Sequence, residues 1–272
     1  MKIKVLVENT SISKDYLSEH GLCLYIETKA GKILFDLGAS SLFLENAKGM
    51  GVDIADVDYL VISHGHYDHC GGLRTFLREN TKAGIFIHQQ AFERFYSQRP
   101  DEGLKYIGPD QRLRDNERIV FVSAEYQIDN DLWLFQSSGQ KKLMPRANKG
   151  LLKREGDRLV EDDFLHEQNL VIRQKGKTLL LTGCAHVGIV NILDHYKGLQ
   201  ASWPDYVIGG FHLSRPGIEE EAETIDRLGE RLLSTGASFY TCHCTGMGPY
   251  QRLENIMGDR LAYLSTGSQI IL

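Results

Sequence analysis

The chain has 272 residues, 42% of them hydrophobic and 25% charged, with a formal net charge of −5. That is apolar mass enough for a full core, and the acidic balance gives no reason to expect a nucleic acid or an anionic membrane as partner, since both favour a basic face. No apolar run approaches the roughly 18 residues of a membrane span, and Met1–Val7 is followed at once by Glu8, so it reads as a first strand and not as a leader; a cytoplasmic protein is expected.

Strands and helices alternate along most of the chain. Short runs rich in Val, Ile, Leu, Phe and Tyr read as strands at Ile3–Val7, Leu22–Glu27, Lys32–Phe35, Tyr59–Ile62 and Gly84–Ile87. More follow at Ile119–Val122, Leu132–Phe135, Leu170–Arg173, Thr178–Leu181, Tyr206–Ile208, Ser238–Tyr240 and Leu261–Leu264. Helical patterning falls at Ser41–Lys48, Gly72–Glu79, Ala91–Ser97, Ile189–Tyr196, Ile218–Leu233 and Tyr250–Met257. In Ile218–Leu233 the apolar positions lie three and four apart, and Glu219, Glu220 and Glu221 are expected in its first turn, where carboxylates complement the dipole. Residues 98–163 are the least regular and read as loops around a few strands. No linker divides the chain, so one domain over 1–272 with an embellished middle is expected.

Five cysteines, Cys23, Cys70, Cys184, Cys242 and Cys244, have no spacing that suggests a disulfide framework. All but Cys23 lie within two residues of a histidine, a first sign of metal chemistry. Four times an apolar strand ends in a histidine-bearing turn: before His64, before Cys184 and His186, before His212, and before His243. Carboxyl ends of strands are where sites assemble in layered α/β folds. Four ends meeting on one edge would pool histidines from distant parts of the chain.

The densest group is His64-Gly65-His66-Tyr67-Asp68-His69. Residues two apart in an extended segment face the same way, so His64 and His66 can share one ion, and Gly65 between them adds backbone freedom. Asp68 and His69, at the turn into the next helix, can face a second. Imidazoles with few carboxylates suit one or two divalent ions, zinc before manganese, iron or nickel. His88 and His166 read as structural, and His20 and His195 as structural or exposed. Cys242 and Cys244 flank His243 and are expected on the face opposite to it.

His-x-His-x-Asp-His after an apolar strand resembles the signature of the metallo-β-lactamase superfamily. Lys32-Ile-Leu-Phe-Asp36-Leu-Gly resembles the family's early strand ending in Asp and Gly, and His243 its last histidine. Thr182-Gly-Cys184-Ala-His186-Val-Gly-Ile-Val-Asn191, Gly209-Gly-Phe-His212-Leu213 and His243-Cys-Thr-Gly246 are similar to one branch, the "beta-lactamase superfamily II metal-dependent hydrolases". That branch includes dihydropterin-ribofuranosylaminobenzene phosphate synthases. The resemblance covers nearly the whole chain. It implies an α/β fold of the αββα sandwich type, two mixed sheets packed face to face with helices outside, and metal at one edge.

The resemblance implies His64, His66, Asp68, His69, His186 and His243 as ligands, with Asp68 also holding the nucleophile. Asp36 is a ligand or the partner of one. His212 either ligates or transfers a proton. The sequence departs from the family where many members place a bridging aspartate: here stands Cys184, which either binds the ion or sits just outside its ligands.

Six basic residues and no acidic one occupy Lys141–Arg154. This loop is expected to border the site and grip an anion, with Arg146 and Lys149 as contacts. The expected protein is a metal-dependent hydrolase of a small phosphorylated or anionic substrate. A synthase-like transferase and a non-catalytic metal-binding member are the alternatives, and the composition leaves a homo-oligomer open. A flavin-linked di-iron protein is disfavoured, because such relatives usually carry a carboxylate where His66 stands. A nuclease is disfavoured by the lack of a large insertion or basic arm.

Overall fold

A computed structural model describes residues 1–99, 103–137 and 141–272. Two seven-stranded sheets form its centre. Across the first run Gln269–Ile271, Lys2–Val7, Cys23–Glu27, Lys32–Phe35, Tyr59–Ile62, Gly84–His88 and Ile119–Val122. Across the second run Leu261–Tyr263, Ser238–Thr241, Tyr206–Gly209, Lys177–Leu181, Asn169–Gln174, Leu132–Phe135 and Glu125–Asp129. Both sheets are mixed. In the first, Lys32–Phe35, Tyr59–Ile62, Gly84–His88 and Ile119–Val122 run parallel. In the second, Lys177–Leu181, Tyr206–Gly209, Ser238–Thr241 and Leu261–Tyr263 do so.

The strands read as nearly continuous apolar runs because they are covered on both faces. Between the sheets lie Ile3, Val5, Leu24, Ile26, Phe35 and Val61 of one and Leu134, Leu170, Ile172, Leu179, Leu181 and Ile208 of the other. Helices Leu42–Gly49 and Leu73–Glu79 cover the outer face of the first sheet, packing Phe43, Ala47, Leu73 and Phe76 onto Leu34, Leu60 and Ile85. Helices Ile189–Gln200, Ala222–Leu233 and Met247–Met257 cover the second through Ile192, Tyr196, Leu228, Leu232 and Leu253. This is the expected αββα sandwich. No helix among the described residues is long and apolar enough to cross a membrane.

Three local expectations fail. Ala91–Ser97 is not a helix: a turn leads into strand Phe95–Arg99, whose alternating burial follows a period of two. Its stability comes from pairing with Leu151–Lys153, more than fifty residues on, which no local pattern reveals. That pair, with Gly103–Tyr106 and Arg158–Glu161, builds a separate four-stranded sheet inside the stretch that reads as irregular. The third failure is at Ile218–Leu233, whose helix starts only at Ala222. Gly217, at φ +77°, turns Ser214–Arg215 back against Ile218–Glu219, so Glu219–Glu221 precede the helix and Glu223 supplies the acid of its first turn. Arg99 ends the first described segment, and any chemistry of residues 100–102 or 138–140 lies outside the described residues.

Candidate metal centre

The four strand ends singled out in the sequence do meet. His64 follows Tyr59–Ile62 in the first sheet. Cys184 and His186, His212 and His243 follow three adjacent parallel strands of the second. All five side chains are buried, as are His66, Asp68 and His69. Ala185, His212 and His243 adopt positive φ, so each chain turns sharply inward once its strand has ended.

Asp36 organises the first-sheet half. It ends Lys32–Phe35 at φ +61° and accepts the Ser63 N–H and the Ser63 hydroxyl, each at 2.7 Å. It also accepts His69 Nδ1–H at 2.6 Å. The Ser63 hydroxyl is thereby committed as a donor, so at 2.9 Å it receives His64 Nδ1–H. On the other half, His186 Nδ1–H donates to Asn148 Oδ1 at 3.0 Å, while Asn148 Nδ2 donates to His186 O. His243 Nδ1–H donates to Asn9 Oδ1 at 2.8 Å, and the His243 N–H to Glu8 Oε1 at 2.6 Å.

Four imidazoles therefore carry their proton on Nδ1 and turn a bare Nε2 inward. His64 and His186 Nε2 stand 3.3 Å apart; His69 and His243 Nε2 stand 3.2 Å apart; Cys184 Sγ is 3.1 Å from His69 Nε2. Facing lone pairs cannot satisfy one another. A cation between them can, and tetrahedral bonds of about 2.1 Å put ligand atoms about 3.4 Å apart. Outer hydrogen bonds that fix the tautomer are what metal-binding histidines use. The donor set fits a divalent metal.

The candidate ligands form overlapping groups. His64, His66 and His186 make one, His66 also lies with Asp162 and His166, and His66 Nε2 is enclosed without a hydrogen-bond partner among the described residues. Around Cys184 lie His64 with His69, and His243 with Cys244, while Asp68 joins His20 and His243, its Oδ2 3.4 Å from His243 Nε2. Burial, reinforced by neighbouring imidazoles, holds His64, His186 and His212 well below the usual histidine pKa, and brings His243 down to about 4 against the pull of Asp68. Those rings are neutral at pH 7, the state in which imidazole ligates. His69 also feels burial, but Asp36 and Asp68 outweigh it and raise its pKa. Burial would raise Asp68, yet His69, His20 and His243 hold it well below the carboxylate range. The Cys184 thiol is pushed up, first by burial and then by Cys244; a bound cation reverses that.

Some residues sit elsewhere than expected. Gly65 is not at positive φ; a Cβ there would lie 2.1 Å from Ala91 O, so it serves close approach and not backbone freedom. Cys242 packs between the sheets, but Cys244 lies with Cys184 and His243, because His243–Thr245 is a 3-10 turn and not an extended strand. His166 accepts the Gly65 N–H on Nδ1 and donates from Nε2 to Asp162. His88 belongs to none of the groups of candidate ligands among the described residues. The basic loop does border the site, but through Asn148. Arg146 instead pairs with Glu221 and gives its backbone N–H to Glu220, and Lys149 is exposed.

Sequence reasoning passed over Asn9, Asn148 and Glu167, and read His20 only as structural or exposed. His20 is 55% exposed and donates to Asp68 Oδ2 at 3.1 Å, at the mouth of the site. Glu167 takes the His186 and Val187 N–H groups and fixes that turn; burial raises its pKa against those bonds. Glu8 and Asn9 had one usable signal, since they too follow an apolar strand at its carboxyl end.

Residues 19–236 match the sequence profile of the metallo-beta-lactamase superfamily. The chain belongs to the metallo-beta-lactamase superfamily. An uncharacterized protein of Methanocaldococcus jannaschii is 30% identical over 93% of this chain and 94% of its own. From the same organism, 7,8-dihydropterin-6-methyl-4-(beta-D-ribofuranosyl)-aminobenzene-5'-phosphate synthase is 29% identical over 90% of this chain and 88% of its own. Among solved structures of the superfamily, Tm1679, described as a metal-dependent hydrolase, superposes with a TM-score of 0.84 at 27% identity, covering 100% of this chain and 99% of that one.

Proposed function

We propose that this superfamily member is a metal-dependent hydrolase, with zinc as its ion, acting on a small phosphorylated or otherwise anionic substrate. The observation that carries it is the pair of facing Nε2 couples, His64 with His186 and His69 with His243, each ring locked by an outer hydrogen bond. His64, His66 and His186 would hold one ion; Asp68, His69, Cys184 and His243, drawn together pairwise, would hold a second. A divalent ion supplies Lewis acidity toward water and toward the scissile group. Asp68, buried but held ionised beside the exposed His20, would orient the attacking water. His212 lies with its ring 4.1 Å from His186 and its Nδ1 enclosed without a partner. Because burial and the His66 and His243 rings keep it neutral, it serves as a hydrogen-bond donor to the leaving oxygen and not as a standing cation.

The test is turnover of a phosphodiester and lactone panel by zinc-loaded protein, with metal content read by elemental analysis. Hydrolysis lost in His66→Ala supports the reading. Less than half an equivalent of any transition metal would sink it. The synthase relative favours a second reading, group transfer in a site that excludes water. No hydrolysis together with tight pterin binding would select it.

A further inference from the structure

The turn that carries His212 runs into the hairpin of Ser214–Arg215 and Ile218–Glu219. Arg215 is half-buried there. Its Nη1 is enclosed and without a hydrogen-bond partner among the described residues, and its Nη2 donates to a backbone carbonyl, Gln98 O, at 3.3 Å. An enclosed guanidinium N–H with no acceptor is a costly arrangement. Burial, and then the nearby Arg99 charge, press the guanidinium toward its neutral form. Several basic residues of the 141–154 loop are instead paired with carboxylates. Lys142 pairs with Asp194, Arg146 with Glu221, and Lys153 with Asp163 and Glu155.

The position points the same way. The Arg215 charge reaches His212, whose ring contacts His186. Arg99, at the end of Phe95–Arg99, reaches Tyr67, the residue between His66 and Asp68. A Cβ at Gly150, in the turn before strand Leu151–Glu155, would sit 3.7 Å from Arg215 Nη2, so the backbone there approaches the guanidinium with no side chain intervening. Arg215 thus sits on the hairpin that continues directly from the His212 turn. Guanidinium forks match phosphate oxygens in pairs.

We propose that Arg215 binds the phosphate monoester group of the substrate and so aims its reacting end at His64, His66 and His186. This rests on the anionic-substrate reading above and replaces Arg146 and Lys149 as the phosphate contacts.

The experiment is calorimetric titration of the zinc-loaded protein, wild type, Arg215→Gln and Arg215→Lys, with ribose 5-phosphate, ribose and ribonate. Metal content and melting temperature of each variant confirm that it is folded and loaded. Ribose 5-phosphate is expected to bind the wild type, with Kd raised at least about tenfold in Arg215→Gln and by less in Arg215→Lys, which keeps charge but loses the fork. Ribose is expected to bind more weakly than its phosphate. A Kd for ribose 5-phosphate unchanged in a folded, loaded Arg215→Gln would overturn the proposal, as would ribonate binding as tightly as the phosphate ester. The two readings fail separately. If no diester is hydrolysed but phosphate binding depends on Arg215, hydrolysis falls and the clamp stands. If diesters are hydrolysed and Arg215→Gln alters neither Kd nor KM, the clamp falls and hydrolysis stands.

Discussion

Cys184, set among candidate ligands, is the residue whose role is most open to test. Its sulfur is 3.1 Å from His69 Nε2 and close to His243 and Cys244. With cobalt in place of zinc, the protein is expected to show a thiolate charge-transfer band in the near ultraviolet. Cys184→Ser should abolish that band and weaken metal binding by more than the roughly 10- to 100-fold that loss of an outer hydrogen-bond partner costs, whereas Cys244→Ser should keep the band. A band that survives Cys184→Ser would place the sulfur outside the ligands. At this scale the sequence was informative for side chains that bond to metal and nearly silent about those that hold them. His64, His66, Asp68 and His69 are crowded into six positions and visible at a glance. Asn9, Asn148 and Arg215 are lone residues whose meaning lies in what the fold sets opposite them.

At the scale of elements, every strand that ends in a proposed ligand was legible, because a strand covered on both faces must be apolar throughout. The small four-stranded sheet was not. Its strands are amphipathic and partly exposed, and Phe95–Arg99 finds its partner only at Leu151–Lys153. Yet this sheet walls the site, with the Phe95 ring 5.7 Å from His66 and 4.0 Å from His166. Gly65 is where the wall and the histidine run touch. Gly65→Ala would drive a Cβ into the Ala91 carbonyl, a backbone group that cannot swing away, and Phe95 Cε2 stands only 2.7 Å from the same position. A loss of about 3 kcal/mol or more is expected, beyond the usual range for overpacking, together with weaker metal binding. Denaturant unfolding of the metal-free protein checks the first part; an unchanged midpoint would mean that the turn yields freely.

For the whole molecule, burying several neutral histidines has a cost that depends on acidity. Unfolded, they take up protons near pH 6.5; folded, His64, His186, His212 and His243 resist doing so, burial being the first cause in each. Their folded-state pKa values are depressed, so the stability they allow is complete above pH 6.5 and falls as the pH drops toward the folded values. His243 alone, moving from 6.5 to about 4, accounts for about 3 kcal/mol across that window. His69, whose pKa is raised, opposes the trend. The melting temperature of metal-free protein is therefore expected to fall steadily from pH 7 to pH 4.5. Bound zinc should steepen the fall, because protons and metal compete for the same nitrogens. A flat profile would show that the rings are not buried neutral.

His243 is fastened from two distant directions. Glu8 and Asn9 grip it from more than 230 positions earlier, while Tyr263 and Thr266 brace the same Glu8 from the chain's later part. Such contacts are the slowest for a polypeptide to make, since the longest loop must close first. The His64, His66 and His186 cluster lacks this requirement. An ion bound at that cluster would then be accepted earlier during biosynthesis, and one held by His243 only once the strands at 261–263 and 269–271 have joined the sheets.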